Sequence, residues 1–301
     1  MEVSSPCASL LEVHDRSPER ARWYCSQLEQ GSVLFFPTVP FHLAEADREF
    51  LLALQLSGSW FHKNISYRPT TGILRGVSGD GEDQTRLHRI MQDFSSEVTQ
   101  FVANLLTPYT AQLRLDFASF RPIEEQGRNL PLHQRNDLLH VDAFPSRPTH
   151  GARILRVFVN INRTASRIWK VGPPFHALVP QMIQAQKLNP PERSVLKRTL
   201  ARFASKLGLP VRDRSRYDEF MLYLHDWLKE NGDFQKTSPK RELAFPSGSC
   251  WMVYTDGVPH AAMSGQFALE QTFIIPVAAL VSPEAAPLRV LEAATGTAMA
   301  S

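Results

Sequence analysis

The sequence predicts an α+β protein in which helices precede an antiparallel β-structure that a second helical block interrupts. Three observations carry this. Apolar residues recur at helical spacing in the first third of the chain. The period changes to two from about residue 111. The alternation stops near residue 176 and resumes with the FPSGSCWMVYTDG text from Phe245. Strands separated by turn residues point to a sandwich or barrel. A helical block between strands of one β-structure reads as an insertion over one mouth rather than a separate domain. Residues 1–285 are therefore expected to form one domain carrying the insertion at 176–240. Residues 286–301, rich in Ala, Thr, Gly and Pro, are expected to be a disordered tail.

Taken in order, residues 17–30 and 43–56 read as helices, the second with Phe50, Leu51 and Leu54 on one face. SVLFFP, from Ser32 to Pro37, is a short buried strand ended by proline. Residues 84–105 place Leu87, Ile90, Met91, Phe94, Val98, Phe101 and Val102 at amphipathic spacing. LRLDFASF, LLHVDAF and RILRVFVNIN then alternate as strands. Residues 176–235 look helical, and ALEQTFIIP ends the sheet text.

Composition narrows the function by exclusion. With 43% hydrophobic and 21% charged residues the chain is ordinary globular protein. A net charge of +3 is too small to argue for nucleic acid. Three widely spaced cysteines, Cys7, Cys25 and Cys250, form neither a disulfide framework nor a zinc ribbon. The charged first 30 residues do not read as a secretory signal. No run approaches a membrane span. A protein of a reducing, cytoplasmic compartment is expected. The sequence also lacks a nucleophile elbow, a P-loop and recognisably spaced acid/base carboxylates.

LLHVDAF, from Leu138 to Phe144, is the segment that needs a chemical reason. On a strand, His140 and Asp142 share one face among apolar neighbours, and burying a carboxylate without a partner costs several kcal/mol. A metal resolves this. A 2-His-1-carboxylate triad holds three positions on one face of an octahedral ion and leaves three open. His260 is the best third ligand, because it follows the turn-rich TDGVPH and opens a strand. His88, His176 and His225 fall on helices or their edges, His150 in a turn, and His133 just before the His-x-Asp segment. His62 is the remaining candidate. His-x-Asp alone is a weak signal in a chain with ten histidines; a core polar contact in a cupin-like binding protein is the competing reading.

The runs HVDAFPSRPTHGARILRVFVNIN, RIWKVGPPF and PSGSCWMVYTDGVPHAAMSGQFALEQTF resemble the Kdo 3-hydroxylases, over roughly residues 30–280. These are Fe(II)/2-oxoglutarate-dependent dioxygenases acting on 3-deoxy-D-manno-oct-2-ulosonic acid (Kdo) in bacterial lipopolysaccharide. The resemblance implies a double-stranded β-helix (jelly-roll or cupin-like) core with His140, Asp142 and His260 as iron ligands. It further implies Fe(II), 2-oxoglutarate and O2 as cofactor and cosubstrates, with ascorbate assisting, and hydroxylation at C3 of Kdo in a Kdo-lipid A glycolipid. An oxygenase acting on a different substrate is the nearest alternative.

Relatives in the wider superfamily hold 2-oxoglutarate with an arginine about ten residues after the last histidine, a position where this chain has Glu270, Gln271 and Thr272. RILRVFVNIN offers Arg153 and Arg156 on opposite faces. Arg156 is favoured over Arg153 as the 2-oxoglutarate residue because its face also carries Asn160 and Asn162, while the competing reading pairs Arg156 with a structural carboxylate such as Glu270; Thr272 or Gln271 is expected to add a hydrogen bond. Arg153, near the strand start, reads as an exposed charge. Lys63, Tyr67, Arg68 and Arg147 are substrate-binding candidates, with Arg75 beside them, because an anionic glycolipid needs cations at the mouth. Lys187 to Arg216 contains nine lysines and arginines against two acids, Glu192 and Asp213. Segment 192–216 reads as a basic amphipathic helix suited to peripheral contact with an anionic surface, such as the cytoplasmic face of an inner membrane.

Overall fold

The computed structural model describes residues 7–54, 64–76, 81–185, 187–188 and 213–300. Its core is two facing sheets. The larger has eight strands: β1 (Leu10–Glu12), β2 (Val33–Phe36), β3 (Ile65–Arg68), β4 (Ile73–Arg75), β5 (Arg114–Arg121), β6 (Arg153–Asn160), β9 (Cys250–Tyr254) and β11 (Ala268–Ile275). Their order is β1-β2-β9-β6-β11-β5-β3-β4. The smaller sheet pairs β10 (His260–Ser264), β7 (Arg167–Val171) and β8 (Arg241–Phe245) in that order. All these pairings are antiparallel except β1–β2. The expected jelly-roll architecture is the one observed.

Strand alternation explains how the layers pack. On β6 and β9, Leu155, Val157, Val159, Cys250, Met252 and Tyr254 face outward into the main core. Helix α3 (Glu82–Leu105) supplies Leu87, Ile90, Met91, Phe94 and Val98 to that core, and α1 (Ala21–Glu29) supplies Tyr24, Cys25 and Leu28. The opposite faces carry Phe158, Trp251 and Val253 against Trp169, Val171, Leu243 and Phe245 of the smaller sheet. Phe245 stacks on Trp251 with centroids 4.0 Å apart, and Phe158 stacks on the same indole at 5.2 Å. β6 is thus covered on both faces, which is why RILRVFVN is almost continuously buried.

A third apolar cluster joins α4 (Phe175–Gln184), α5 (Arg216–Glu230) and α7 (Pro287–Thr295); α6 (Gly232–Thr237) follows α5. Ser215 caps α5 through a reciprocal capping box with Asp218. This helical cap covers Val141, the residue between the candidate ligands. Most of the basic segment 192–216 lies outside the described residues; Arg214 within it donates to the Pro145 carbonyl at 2.6 Å. Among the described residues no helix is long and apolar enough to cross a membrane.

Three expectations are corrected. LLHVDAF is not a regular strand: only His140 forms a β-bridge, with His260. The supposed disordered tail contains α7, whose Leu288 and Leu291 are buried against α4 and α5. The i, i+3 apolar spacing after Pro287 outweighs the small-residue composition that suggested disorder. Arg153 is not an exposed charge but 1% exposed, donating from Nε to Asp256 Oδ2 at 2.8 Å and lying over the Tyr254 ring.

The Arg153–Asp256 pair anchors the turn that leads into His260. A Cβ at Gly257 would lie 2.3 Å from Arg153 Nη2, so the turn closes around the guanidinium only because glycine stands there. Removing one partner leaves an uncompensated buried charge. Asp256→Ala is therefore expected to cost about 3–5 kcal/mol in urea unfolding, while the double variant Arg153→Met/Asp256→Leu recovers most of it. A single-variant loss below about 1 kcal/mol contradicts this role.

Candidate metal centre

His140, Asp142 and His260 converge inside the barrel, and each offers a ligand atom within 4.8 Å of the others. The backbone dictates this. His140 N donates to His260 O at 3.1 Å, His260 N donates to His140 O at 2.9 Å, and Asp142 N donates to Thr255 O at 2.9 Å. Val141 turns into the helical cap, so its two neighbours face the opposite way. The side-by-side placement expected of a strand is thus achieved by one bridge and an extended segment.

Each imidazole is oriented by its other nitrogen. His140 Nδ1 lies 2.8 Å from Leu138 O and His260 Nδ1 lies 2.9 Å from Val258 O. A carbonyl only accepts, so Nδ1 carries the proton and Nε2 keeps its lone pair. The rings are also braced. Trp169 stacks on His260 at 5.1 Å, and His225 meets His140 edge-on at 5.2 Å. His225 itself donates from Nδ1 to Val141 O at 2.7 Å. Burial holds both ligand imidazoles below their usual pKa; for His140 the neighbouring His260 adds to this, and for His260 the Asp142 carboxylate opposes it. Neutral imidazoles are the metal-binding form.

Asp142 is ionised despite its surroundings. Burial works against the charge, but Arg156, His260 and His140 together hold its pKa well below the usual carboxylate range. Arg156 Nε lies 3.1 Å from Asp142 Oδ2, and Arg156 Nη1 lies 3.0 Å from Glu270 Oε1. Glu270 in turn accepts from Arg121 Nε at 2.7 Å. The contact between Arg156 and Asp142 is electrostatic only, and Oδ2 is left as a buried acceptor without a hydrogen bond. Two lone-pair nitrogens and an orphaned carboxylate oxygen fit a divalent ion of the kind that 2-His-1-carboxylate sites hold. Beside the triad, two arginines face two carboxylates. A dication adds charge to that balance, and a dianionic cosubstrate would restore it.

The remaining expected residues divide. Arg156 reaches the centre, and Thr272 is its cross-strand partner on the same face, with Oγ1 donating to Glu270 Oε1 at 3.3 Å. Asn160 does not contribute: its amide donates to Ala165 O and Phe245 O, both at 2.9 Å, and its Oδ1 accepts from Asn162 N. It clips the β6–β7 turn. Gln271 points to the opposite face, where it accepts from Ser95 of α3 at 2.7 Å; alternation along β11 separates it from Glu270 and Thr272. Tyr67 is likewise turned into the main core against His88. Arg68 and Arg147 both lie against the Phe117 ring, and Arg147 is ion-paired with Asp116. Arg75 is exposed on β4. Lys63 lies outside the described residues.

Sequence reasoning missed Trp169, the Arg121–Glu270 pair and the bracing role of His225. Glu270, the one acid of the strand ALEQTFII, is the carboxylate the sequence offered as an alternative partner for Arg156, and the two are paired in the structure.

Comparison with known proteins agrees with this geometry. A solved Kdo hydroxylase, KdoO, described as a non-heme Fe(II) α-ketoglutarate-dependent dioxygenase in complex with α-ketoglutarate and Fe(III), is 38% identical, with a TM-score of 0.85 and 97% of each chain covered. Structures of KdoO with cobalt(II), at 39% identity and TM-score 0.85, and with succinate and Fe(III), at 38% and 0.84, match over the same 97% of each chain. The comparison with curated proteins gives no match. The sequence model of the 3-deoxy-D-manno-oct-2-ulosonic acid (Kdo) hydroxylase family matches residues 12–298, and the chain belongs to that family.

Proposed function

We propose that this protein hydroxylates C3 of Kdo carried on a lipid A glycolipid, with His140, Asp142 and His260 as the Fe(II) ligands. As a member of its family the chain is an Fe(II)/2-oxoglutarate-dependent dioxygenase of Kdo. The observation that carries the residue assignment is the triad itself, three ligand atoms within 4.8 Å of one another in a buried site. With iron and 2-oxoglutarate bound, the centre supplies oxidation: one oxygen of O2 enters a C–H bond of the sugar and the other leaves in succinate as CO2 is released.

The protein's own part is geometric. Nδ1–H donation to Leu138 O and Val258 O aims both Nε2 lone pairs at one point. Arg156 stands against Asp142 and keeps its carboxylate ionised beside the two imidazoles. Its two carboxylate contacts use Nε and Nη1; Nη2, with the Thr272 hydroxyl, is proposed to meet a carboxylate of 2-oxoglutarate. Trp169, Phe158 and Trp251 fill the barrel behind His260 and keep water from the reacting atoms. No general acid or base is required of the chain.

The lipid A form of the substrate and its membrane setting belong to the same proposal. The cationic mouth suits an anionic glycolipid, and the basic composition of 192–216 suits peripheral contact with an anionic leaflet.

Mass spectrometry of Kdo-lipid A incubated with the protein, Fe(II), ascorbate and 2-oxoglutarate is expected to show one added oxygen, absent from lipid A lacking Kdo. Succinate release indifferent to Kdo contradicts the substrate assignment. Asp142→Ala is expected to abolish turnover and metal binding while leaving cooperative unfolding in place; retained turnover excludes the triad. Arg156→Lys keeps a charge but loses the planar fork. It is expected to weaken Co(II) binding about 10–100-fold in calorimetry, and unchanged affinity would rule out a role in orienting Asp142.

A further inference from the structure

Between the rim and the metal centre, three arginines alternate with two phenylalanines. Arg68 of β3 sits 4.8 Å from the Phe117 ring centroid, and Arg147 lies 4.2 Å from the same ring. Arg147 is also 4.3 Å from Phe144, whose other neighbour is Arg156 at 5.6 Å. Arg156 then touches Asp142. Five side chains, from β3, β5, the Phe144–Arg147 turn and β6, therefore form one continuous path ending at Asp142.

The charges along the path are paired unevenly. Arg156 has Asp142 and Glu270, and Arg147 has Asp116. Arg68 is half-buried and has no carboxylate partner among the described residues. Arg147 is crowded: burial pulls it below its ordinary pKa, with Arg156 and Arg68 adding to the effect against the pull of Asp116. Aromatic faces fix the guanidinium planes while leaving their edges for hydrogen bonds. A fixed guanidinium edge without a carboxylate partner, as at Arg68, beside a second one binds a planar or tetrahedral oxyanion.

Two anions of the proposed substrate have that chemistry, the sugar carboxylate and the lipid A phosphates. Position decides between them. In 3-deoxy-D-manno-oct-2-ulosonic acid the carboxyl carbon is C1 and the deoxy carbon is C3, so the carboxylate is separated from the reacting carbon by C2 alone. The phosphates lie on other sugars. Arg147 is one aromatic ring removed from Arg156, and Arg156 contacts a metal ligand.

We propose that Arg147 and Arg68, both seated on Phe117, clamp the C1 carboxylate of Kdo and so present C3 to the metal centre. This rests on the assignment of Kdo as substrate. The methyl glycoside of Kdo and its C1 carboxamide serve as paired inhibitors of Kdo-lipid A turnover. With the wild-type protein, the carboxylate is expected to inhibit about 10–100-fold more strongly than the carboxamide. In Arg68→Gln and Arg147→Lys that preference is expected to fall to within about threefold, with the carboxamide little affected. Arg147→Lys guards against a folding artefact because it keeps a cation beside Asp116. A preference that persists in both variants, or equal inhibition by the two compounds with wild type, overturns the clamp. So does a rise in KM for Arg68→Gln that vanishes on Kdo-lipid A stripped of phosphates, which would assign the cations to phosphate. Absence of any wild-type turnover of Kdo-lipid A overturns the substrate reading itself.

Discussion

Two backbone hydrogen bonds, between His140 and His260, are the constraint on which the site depends. They join segments far apart in sequence and put both imidazoles on one side of a single bridge. Neither segment needs to be a full strand for this. What matters is that Val141 is drawn into the helical cap, because burying it forces His140 and Asp142 to the opposite side. The cap therefore sets the geometry of the proposed metal centre through Val141. Its own cohesion extends to α7, so the C-terminal residues bear indirectly on the chemistry.

Electrostatics supplies the second constraint. Asp142 and Glu270 are buried carboxylates that would each be costly alone, and Arg156 and Arg121 hold them ionised. Arg153 and Asp256 repeat the arrangement under the turn before His260. The barrel interior is thus assembled from ion pairs lined up behind the ligands, while the aromatic stack of Phe158, Trp251 and Phe245 fills the rest. Stiffness at this place is useful, since ligand atoms misplaced by an ångström lose both metal affinity and the open coordination positions.

Much of this was legible in the residues. Period-two alternation marked β5, β6, β9 and β11, and the helical repeat marked α1, α2 (Glu45–Ala53) and α3, because these elements bury one or both faces in a regular way. The convergence of His140, Asp142 and His260 was readable because a buried carboxylate among apolar neighbours needs partners. The errors have a common cause. Asn160, Gln271 and Tyr67 have the right chemistry but the wrong face or partner, and Arg153 was misjudged because its partner, Asp256, sits on another strand's turn. Strand parity is local information; which face meets the cavity, and which acid crosses to which arginine, is settled by tertiary pairing. α7 was overlooked because composition was weighed above spacing.

The central claim is that these three side chains, and no fourth, hold the ion. An anomalous-scattering map at the iron edge, from crystals grown anaerobically with Fe(II), tests it most directly. The account expects one peak bonded to His140 Nε2, His260 Nε2 and one oxygen of Asp142, with the remaining positions free of protein ligands. A peak bonded through Nδ1, a peak elsewhere, or His225 closing the coordination sphere as a fourth ligand would contradict it.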